Sequence, residues 1–322
     1  MKYSDYEDYD DSDDLEQDGS HHEQQQAEAD YNRFEDTFDK FDLTSNNYDI
    51  SVIVNSLLDR HYAKNFTPEV LRHIHGCIDL TTLNANDSNE SVRAWVEDNV
   101  NAFDGKYSDV NNVAAICTYP LFVEAVKETL TAANIKICAV TGGFPASQTF
   151  TEVKIAETAM AVLEGAEEID TVMNLGYFFD EDYETLSDEL IEIKDSCRGA
   201  TMKVILETTA LLTTENVRKA AILALYSGAD FIKTSTGKFP ANNTTALRLE
   251  DAVYVMCKVI KEYASKTGHK AGIKIAGGIK TAEDAVKFYT IVKETLGKEW
   301  TSKELFRIGA SSLHKDIEQR YG

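Results

Sequence analysis

The sequence of 322 residues lacks the features of several common protein classes. No apolar run approaches the roughly 18 residues of a membrane-spanning helix, so we expect no membrane partner. The N-terminus has no basic segment followed by an apolar one, which argues against a secretory signal. These absences favour a cytoplasmic protein.

Patterns that bind metals or form disulfides are also missing. The five cysteines are scattered, and no two of them form a CxxC pair. The seven histidines show no metal-ligand spacing. Because isolated thiols in apolar segments mostly pack as small hydrophobic groups, we expect free cysteines, no metal ion and no cofactor.

Positive charge is scarce, with 32 Lys and Arg against 55 Asp and Glu and a net charge of −23. Such a balance argues against nonspecific binding to nucleic acid. Residues 1–49 alone hold 17 acidic and three basic residues, a net of −14.

Residues 1–48 contain few aliphatic side chains, so they cannot bury enough apolar surface to offset the entropy of ordering. We therefore predict a disordered acidic extension at 1–48 and a folded domain at 49–322. Binding of a basic partner is an alternative role for the extension. If it is disordered, deletion of residues 1–45 should leave turnover and melting temperature nearly unchanged.

Eight short apolar runs alternate with amphipathic segments after residue 50. They read HIHGCIDL (73–80), NVAAICTY (112–119), IKICAVTG (135–142), EEIDTVMN (167–174), MKVILET (202–208), ADFIKTS (229–235), AGIKIAG (271–277) and FRIGASS (306–312). Strands that alternate with helices predict βαβ units and a parallel sheet. Eight units fit an α/β fold of the (β/α)8 TIM-barrel type. A doubly wound open sheet is the alternative, but no GxGxxG follows the first run.

Four of these runs place a charged residue directly after an isoleucine in their interior, at Asp79, Asp170, Lys233 and Lys274. Because neighbouring side chains of a strand point to opposite faces, an outward isoleucine leaves each charge inside the barrel. All four lie near the C-terminal halves of their predicted strands, towards the catalytic face of this fold. Buried charges are costly unless paired or functional, so a structural ion cluster is the alternative to a catalytic site.

Two inward lysines predict a specific chemistry. A lysine amine attacks a carbonyl only when neutral, and a second ammonium together with desolvation lowers its pKa. The iminium that forms draws electrons from the neighbouring carbon–carbon bond, which can then break or form. A nearby aspartate would shuttle the protons. Lys233 and Lys274 therefore predict a metal-independent, Schiff-base (class I) aldolase.

Glycines and hydroxyls follow the last strands, where barrels of this type commonly bind phosphate. Backbone N–H groups in glycine turns and nearby hydroxyls can hold an anion. The candidates are Thr236, Gly237 and Lys238 after the sixth run, Gly277 and Gly278 after the seventh, and Gly309, Ser311 and Ser312 in or after the eighth. Together they predict a phosphorylated small-molecule substrate.

Five motifs carry a resemblance to a known family. They are IDLTTL (78–83), AAICTYP (114–120), FIKTSTGK (231–238), IKIAGGIKTAEDA (273–285) and FRIGASSL (306–313). In this order, from about residue 70 to the C-terminus, the sequence resembles deoxyribose-phosphate aldolases. The C-terminal stretch LGKEWTSKELFRIGASSLHKDIE resembles the longer, eukaryotic-type members more than the short bacterial ones. The resemblance implies reversible cleavage of 2-deoxy-D-ribose 5-phosphate to D-glyceraldehyde 3-phosphate and acetaldehyde, in deoxyribonucleoside catabolism.

The resemblance also implies a role for each matching residue. Lys233 would form the Schiff base, Lys274 would tune its pKa, and Asp170 would serve the proton relay. At the other end of the pocket, Asp79 and Thr81 would lie beside the substrate hydroxyls. Cys117 would line the pocket without a covalent role.

One residue departs from the family pattern, since Ile275 stands where the family has proline. We expect an effect on stability and not on chemistry, because this side chain should face the helices. An aldolase for another phosphosugar and an inactive barrel that acts through its acidic extension are the alternatives. The sequence does not fix the oligomeric state, for which a homodimer is one candidate.

Overall fold

The computed structural model describes residues 33–41, 46–239 and 247–320. Eight parallel strands form a closed barrel in sequence order, with β8 pairing back to β1. The strands are β1 (Ile78–Thr81), β2 (Ala115–Thr118), β3 (Lys136–Thr141), β4 (Glu168–Val172), β5 (Thr201–Ile205), β6 (Phe231–Lys233), β7 (Gly272–Ala276) and β8 (Phe306–Ala310). The predicted (β/α)8 barrel is therefore confirmed.

Helices cover the outside of this barrel. Those described are α1 (Arg33–Phe38), α2 (Asn47–Asn65), α3 (Pro68–His75), α4 (Asn89–Asn99), α5 (Val123–Thr129), α6 (Thr151–Glu164), α7 (Leu175–Phe179), α8 (Tyr183–Ser196), α9 (Thr208–Leu211), α10 (Thr214–Tyr226), α11 (Leu249–Thr267), α12 (Ala282–Leu296) and α13 (Leu313–Glu318). Hydroxyls at Ser88 and Thr281 accept backbone N–H bonds and so cap α4 and α12. Within the described ranges, no helix is both long and apolar enough to cross a bilayer.

The first strand begins later than the sequence pattern predicts. Residues 73–75 belong to α3 because Thr67 caps that helix, Pro68 occupies its first turn, and Leu71 and Ile74 are buried on one face. Helical periodicity thus outweighs the apolar run at this point, and the strand starts at Ile78.

Part of the predicted N-terminal extension is ordered. Residues 33–41 were expected to be disordered, but they form α1 and the turn after it, with Phe34, Phe38 and Phe41 buried. Phe38 packs edge-on against Tyr183, with ring centroids 5.2 Å apart. The acidic composition hid this short aromatic face. Residues 1–32 and 42–45 of the extension lie outside the described residues, and the predicted boundary at 48 falls inside α2.

The barrel interior is divided into an apolar and a charged side. Next to Leu83, the inward residues of β2 and β3 (Ala115, Cys117, Cys138 and Val140) form a small apolar cluster. The other strands direct carboxylates, lysines and an arginine inward, and these groups contact one another. The outward isoleucines of the same strands pack in the main core beneath the helices.

Candidate active site

Asp170 on β4 is the centre of the charged cluster. Its Oδ2 lies 2.7 Å from the Nζ of Lys233 and 2.7 Å from the Nζ of Lys274. Lys274 also lies 2.5 Å from Asp79 Oδ2. The structure therefore brings together all four charges that the alternation pattern selected, and strand register explains why, since Lys233 pairs directly with Lys274.

Lys233 differs from Lys274 in its access to substrate. A cavity of about 270 Å³ opens at the C-terminal ends of the strands, and Lys233 lines it. Lys274 is fully buried beneath it and is not part of its lining. Gly309 on the next strand leaves the space that the Lys274 side chain occupies, because a Cβ there would lie 3.2 Å from Lys274 Cε.

The predicted phosphate-binding loops meet at the same cavity. The lining includes Lys233, Thr81, Thr236, Gly237, Lys238, Gly277, Gly278, Gly309 and Ser311, all of which the sequence analysis selected. Gly237, Gly277 and Gly278 have positive φ, a conformation that favours glycine and turns backbone N–H groups in directions other residues rarely allow. The remaining candidates are elsewhere: Asp79 and Cys117 are buried below the cavity, and Ser312 is not in its lining.

Charge–charge contacts set the protonation of the cluster. Burial by itself would raise the pKa of Asp170, but Lys203, Lys233 and Lys274 hold it well below its usual value. Burial would likewise lower the pKa of Lys274, but Asp170 and Asp79 raise it above its usual value. Lys274 is therefore a cation beside an ionised Asp170, a pair that can polarise a bound substrate and exchange protons with it.

A model described as the DeoC/LacD family aldolase matches residues 75–317. The chain belongs to this aldolase family. The family assignment agrees with the resemblance drawn from the five motifs. It also covers every residue of the charged cluster and all the loops around the cavity.

Individual relatives agree with the family assignment. The chain is similar to the deoxyribose-phosphate aldolase of Homo sapiens, with 40% identity over 76% of this chain and 78% of the human protein. The Mus musculus deoxyribose-phosphate aldolase is also 40% identical, over the same shares. Among solved structures, a tetrameric deoxyribose phosphate aldolase from Aeropyrum pernix matches with a TM-score of 0.60 and 26% identity, covering 83% of this chain and 96% of that one.

Sequence reasoning missed three charged members of the cluster. Lys203 on β5 lies 3.0 Å from Asp170 and 2.6 Å from Glu168. Arg307 on β8 lies 2.7 Å from Asp79 and also pairs with Glu168. These residues also occupy inward positions of their strands, but none of them follows an isoleucine, the feature that marks the other four charges. Strand register could have found Lys203, which pairs with Asp170.

The loop after β6 is tied to the loop after β1 and to Glu207. Thr236 donates a hydrogen bond from its hydroxyl and another from its backbone N–H to the buried carboxylate of Glu207. Lys238 donates from Nζ to the carbonyl of Leu83 at 2.6 Å. These contacts hold the β6 loop beside Lys280, a further cavity residue that the sequence analysis did not select.

Proposed function

We propose that this chain is a deoxyribose-phosphate aldolase that reversibly cleaves 2-deoxy-D-ribose 5-phosphate to D-glyceraldehyde 3-phosphate and acetaldehyde. Membership of the aldolase family and 40% identity to the human enzyme of that name support the substrate. A role in deoxyribonucleoside catabolism and a cytoplasmic location belong to the same proposal. Fractionation of cells that express the chain would test the location.

The position of Lys233 carries the proposal. Of the three lysines in the charged cluster, Lys233 is the one that lines the cavity, and its Nζ contacts Asp170. The described cluster holds three carboxylates (Asp79, Glu168 and Asp170) and four cations (Lys203, Lys233, Lys274 and Arg307). Loss of one proton therefore makes the formal charge of the cluster zero, and Lys233 is the amine that, once neutral, can donate its lone pair to the substrate carbonyl.

The reaction follows from these positions. The neutral amine of Lys233 adds to the C1 aldehyde of the open-chain sugar, and loss of water gives an iminium. The C3 hydroxyl then loses its proton while the C2–C3 bond breaks, and the electron pair moves into the iminium to give an enamine. Asp170, held by Lys274, accepts and returns protons. Protonation at C2 and hydrolysis release acetaldehyde and regenerate the amine.

The glycine loops would hold the other end of the substrate. Gly277, Gly278, Gly309 and Ser311 line the cavity wall at the ends of β7 and β8, and Lys238 and Lys280 add positive charge to the same lining. We assign the phosphate to this wall. The substrate then spans the cavity from this anion site to the Lys233 amine, which fixes the distance between phosphate and aldehyde.

Borohydride trapping tests the proposal most directly. The chain is incubated with 2-deoxyribose 5-phosphate and borohydride, and peptide mass spectrometry locates the reduced adduct. We expect the adduct on Lys233 and its absence in Lys233→Leu. Lys154→Leu is a control, because this lysine is buried between outer helices, paired with Glu189.

Other outcomes separate the parts of the proposal. An adduct on Lys274 would reverse the roles of the two lysines and keep the reaction class. Trapping of a different phosphosugar, with none of this substrate, would keep the Schiff base and reject the substrate. If folded protein forms no adduct and releases no acetaldehyde, the aldolase proposal is wrong.

We also propose that a second copy of the chain covers an exposed apolar face and forms a homodimer. Leu121, Val153 and Met160 are 79%, 51% and 63% exposed and line one surface groove beside α6. The tetramer of the Aeropyrum pernix relative supports self-association in the family. Light scattering should give a dimer mass that falls to a monomer mass in Met160→Lys. Tyr48→Lys, at a residue 77% exposed elsewhere, should remain dimeric.

A further inference from the structure

Cys138 has no part in the proposed reaction, yet it touches the centre of the active site. Its Sγ donates a hydrogen bond to Asp170 Oδ1 at 3.1 Å. The neighbouring strand places Cys117 directly beside it in register, with Sγ 3.9 Å from the other Asp170 oxygen. Both thiols are buried inside the barrel, so two sulfurs and one carboxylate converge on a single point.

The arrangement of these atoms suits a soft divalent cation. One donor atom from each of Cys117, Cys138 and Asp170 lies within 4.8 Å of the others. Tetrahedral zinc accepts thiolate sulfur at about 2.3 Å and carboxylate oxygen at about 2.0–2.2 Å, and it tolerates three protein ligands with one open position. Small side-chain rotations would therefore bring the three donors onto one ion.

A bound divalent cation need not change the formal charge of the cluster, although lysines surround the site. Lys203 Nζ lies 3.4 Å from Cys138 Sγ, and the described cluster already has one cation more than carboxylates. A thiol that binds a metal ion loses its proton. A divalent cation that displaces two thiol protons adds two charges and removes two, so the formal charge of the cluster stays the same.

The two thiols differ in how readily they would ionise without metal. A hydrogen bond with Cys138 lowers the pKa of Cys117, although burial opposes this effect. Burial raises the pKa of Cys138 well above its usual value. A metal ion at this site must displace the proton of each thiol, so removal of either sulfur should weaken binding.

We propose that Cys117, Cys138 and Asp170 form an inhibitory site for a thiophilic divalent cation of the Zn²⁺ and Cd²⁺ class. The ion would take a carboxylate oxygen that now contacts Lys233 and Lys274, and so remove the proton acceptor from the reacting amine. Inhibition rests on the proposed aldolase function, whereas metal binding does not.

Cadmium titration of the full chain tests binding apart from activity. Thiolate–cadmium coordination gives an ultraviolet charge-transfer band that carboxylates do not give, so the acidic N-terminal residues cannot produce it. We expect one ion per chain, a raised melting temperature from binding to the folded state, and displacement by Zn²⁺. In Cys138→Ala affinity should fall by about 100-fold or more, beyond the loss typical of residues outside the ligand set. At a cadmium concentration that just saturates the parent chain, most of the band should therefore be lost.

Two further variants make the result decisive. Cys138→Ser is nearly isosteric and should also lose the band, which separates loss of the sulfur from loss of packing. Cys197→Ala removes another fully buried thiol, outside the barrel, and should bind cadmium like the parent chain. An unchanged band in Cys138→Ala and Cys138→Ser would overturn the site. If both Cys138 variants lose the band but cadmium does not lower the aldolase activity of the parent chain, the inhibition alone is overturned.

Discussion

Lys203 is fully buried and has carboxylates on two sides, Asp170 and Glu168. Lys203→Met keeps most of the side-chain volume but leaves both carboxylates without this partner. Removing one member of a buried ion pair typically costs about 3–5 kcal/mol. We expect the free energy of unfolding in urea to fall by that amount, and kcat of the folded fraction to fall as well, because Lys203 helps keep Asp170 ionised.

A matched variant separates stability from catalysis. Lys154 is equally buried and lies 2.8 Å from Glu189, but this pair joins α6 to α8 outside the barrel. Lys154→Met should lose similar stability and retain kcat per folded molecule. If the two variants retain the same kcat, Lys203 has no influence on the reacting groups and serves only to fill the barrel.

Gly309 gives a second prediction for a single residue. A Cβ at this position would lie 3.2 Å from Lys274 Cε and 3.2 Å from Ala276 Cβ. Gly309→Ala should therefore shift the Lys274 amine away from Asp170. We expect a large fall in kcat and a small fall in the free energy of unfolding, because a small displacement of a catalytic group lowers the rate steeply. Gly76→Ala is the control: its Cβ would also lie 3.2 Å from a neighbouring atom, Asn111 Cβ, but Gly76 does not line the cavity. This variant should leave kcat unchanged.

Helix α1 anchors the start of the described chain to the barrel, which changes the expectation for N-terminal truncation. Phe34, Phe38 and Phe41 are buried, and burying one phenylalanine contributes about 1.5–3 kcal/mol. A chain that starts at residue 42 should therefore melt several degrees below one that starts at residue 33. Equal melting temperatures would mean that α1 opens without affecting the unfolding of the barrel. Turnover should be similar in both, because α1 contacts α8 and α10 and not the cavity.

Elements whose inward and outward residues alternate regularly were predictable from sequence. Elements whose position depends on contacts with distant residues were not. The strands around Asp170 and Lys233 alternate inward charge with outward isoleucine, so both fold and site followed from one pattern. Helix α1 and the turn after it carry only three phenylalanines in an acidic segment. Their burial depends on Tyr183 and Tyr226, which are distant in sequence. The composition of this segment therefore gave the wrong expectation.

The barrel as a whole concentrates its charge where an ordinary barrel would have an apolar interior. Asp79, Glu168 and Arg307 extend the cluster below the proposed catalytic residues and satisfy one another through paired hydrogen bonds. These ion pairs depend on closure of the sheet, because β8 must pair with β1 before Arg307 can reach Asp79. Catalytic geometry is thus a property of the closed barrel and not of any single strand.

The stability of the whole molecule should depend on pH through His314. This residue is 4% exposed, and neither ring nitrogen hydrogen-bonds to a described residue. Burial first, and then His75 and Lys315, lower its pKa from 6.5 to about 4, while Glu318 opposes them. The folded state therefore binds fewer protons than the unfolded state, so stability is present above pH 6.5 and is lost as pH falls towards 4.

Urea unfolding at a series of pH values would measure this effect. When His314 is protonated in the unfolded state but not in the folded state, the free energy of unfolding falls. The total fall is on the order of 3 kcal/mol, since each unit of pKa difference corresponds to about 1.4 kcal/mol. His314→Phe keeps a buried ring that cannot titrate, and it should flatten the fall in unfolding free energy between pH 6.5 and 5. His269→Phe, at an exposed position, should preserve the slope of the parent chain. An unchanged slope in His314→Phe would mean that the acid sensitivity arises from other titrating groups and not from this histidine.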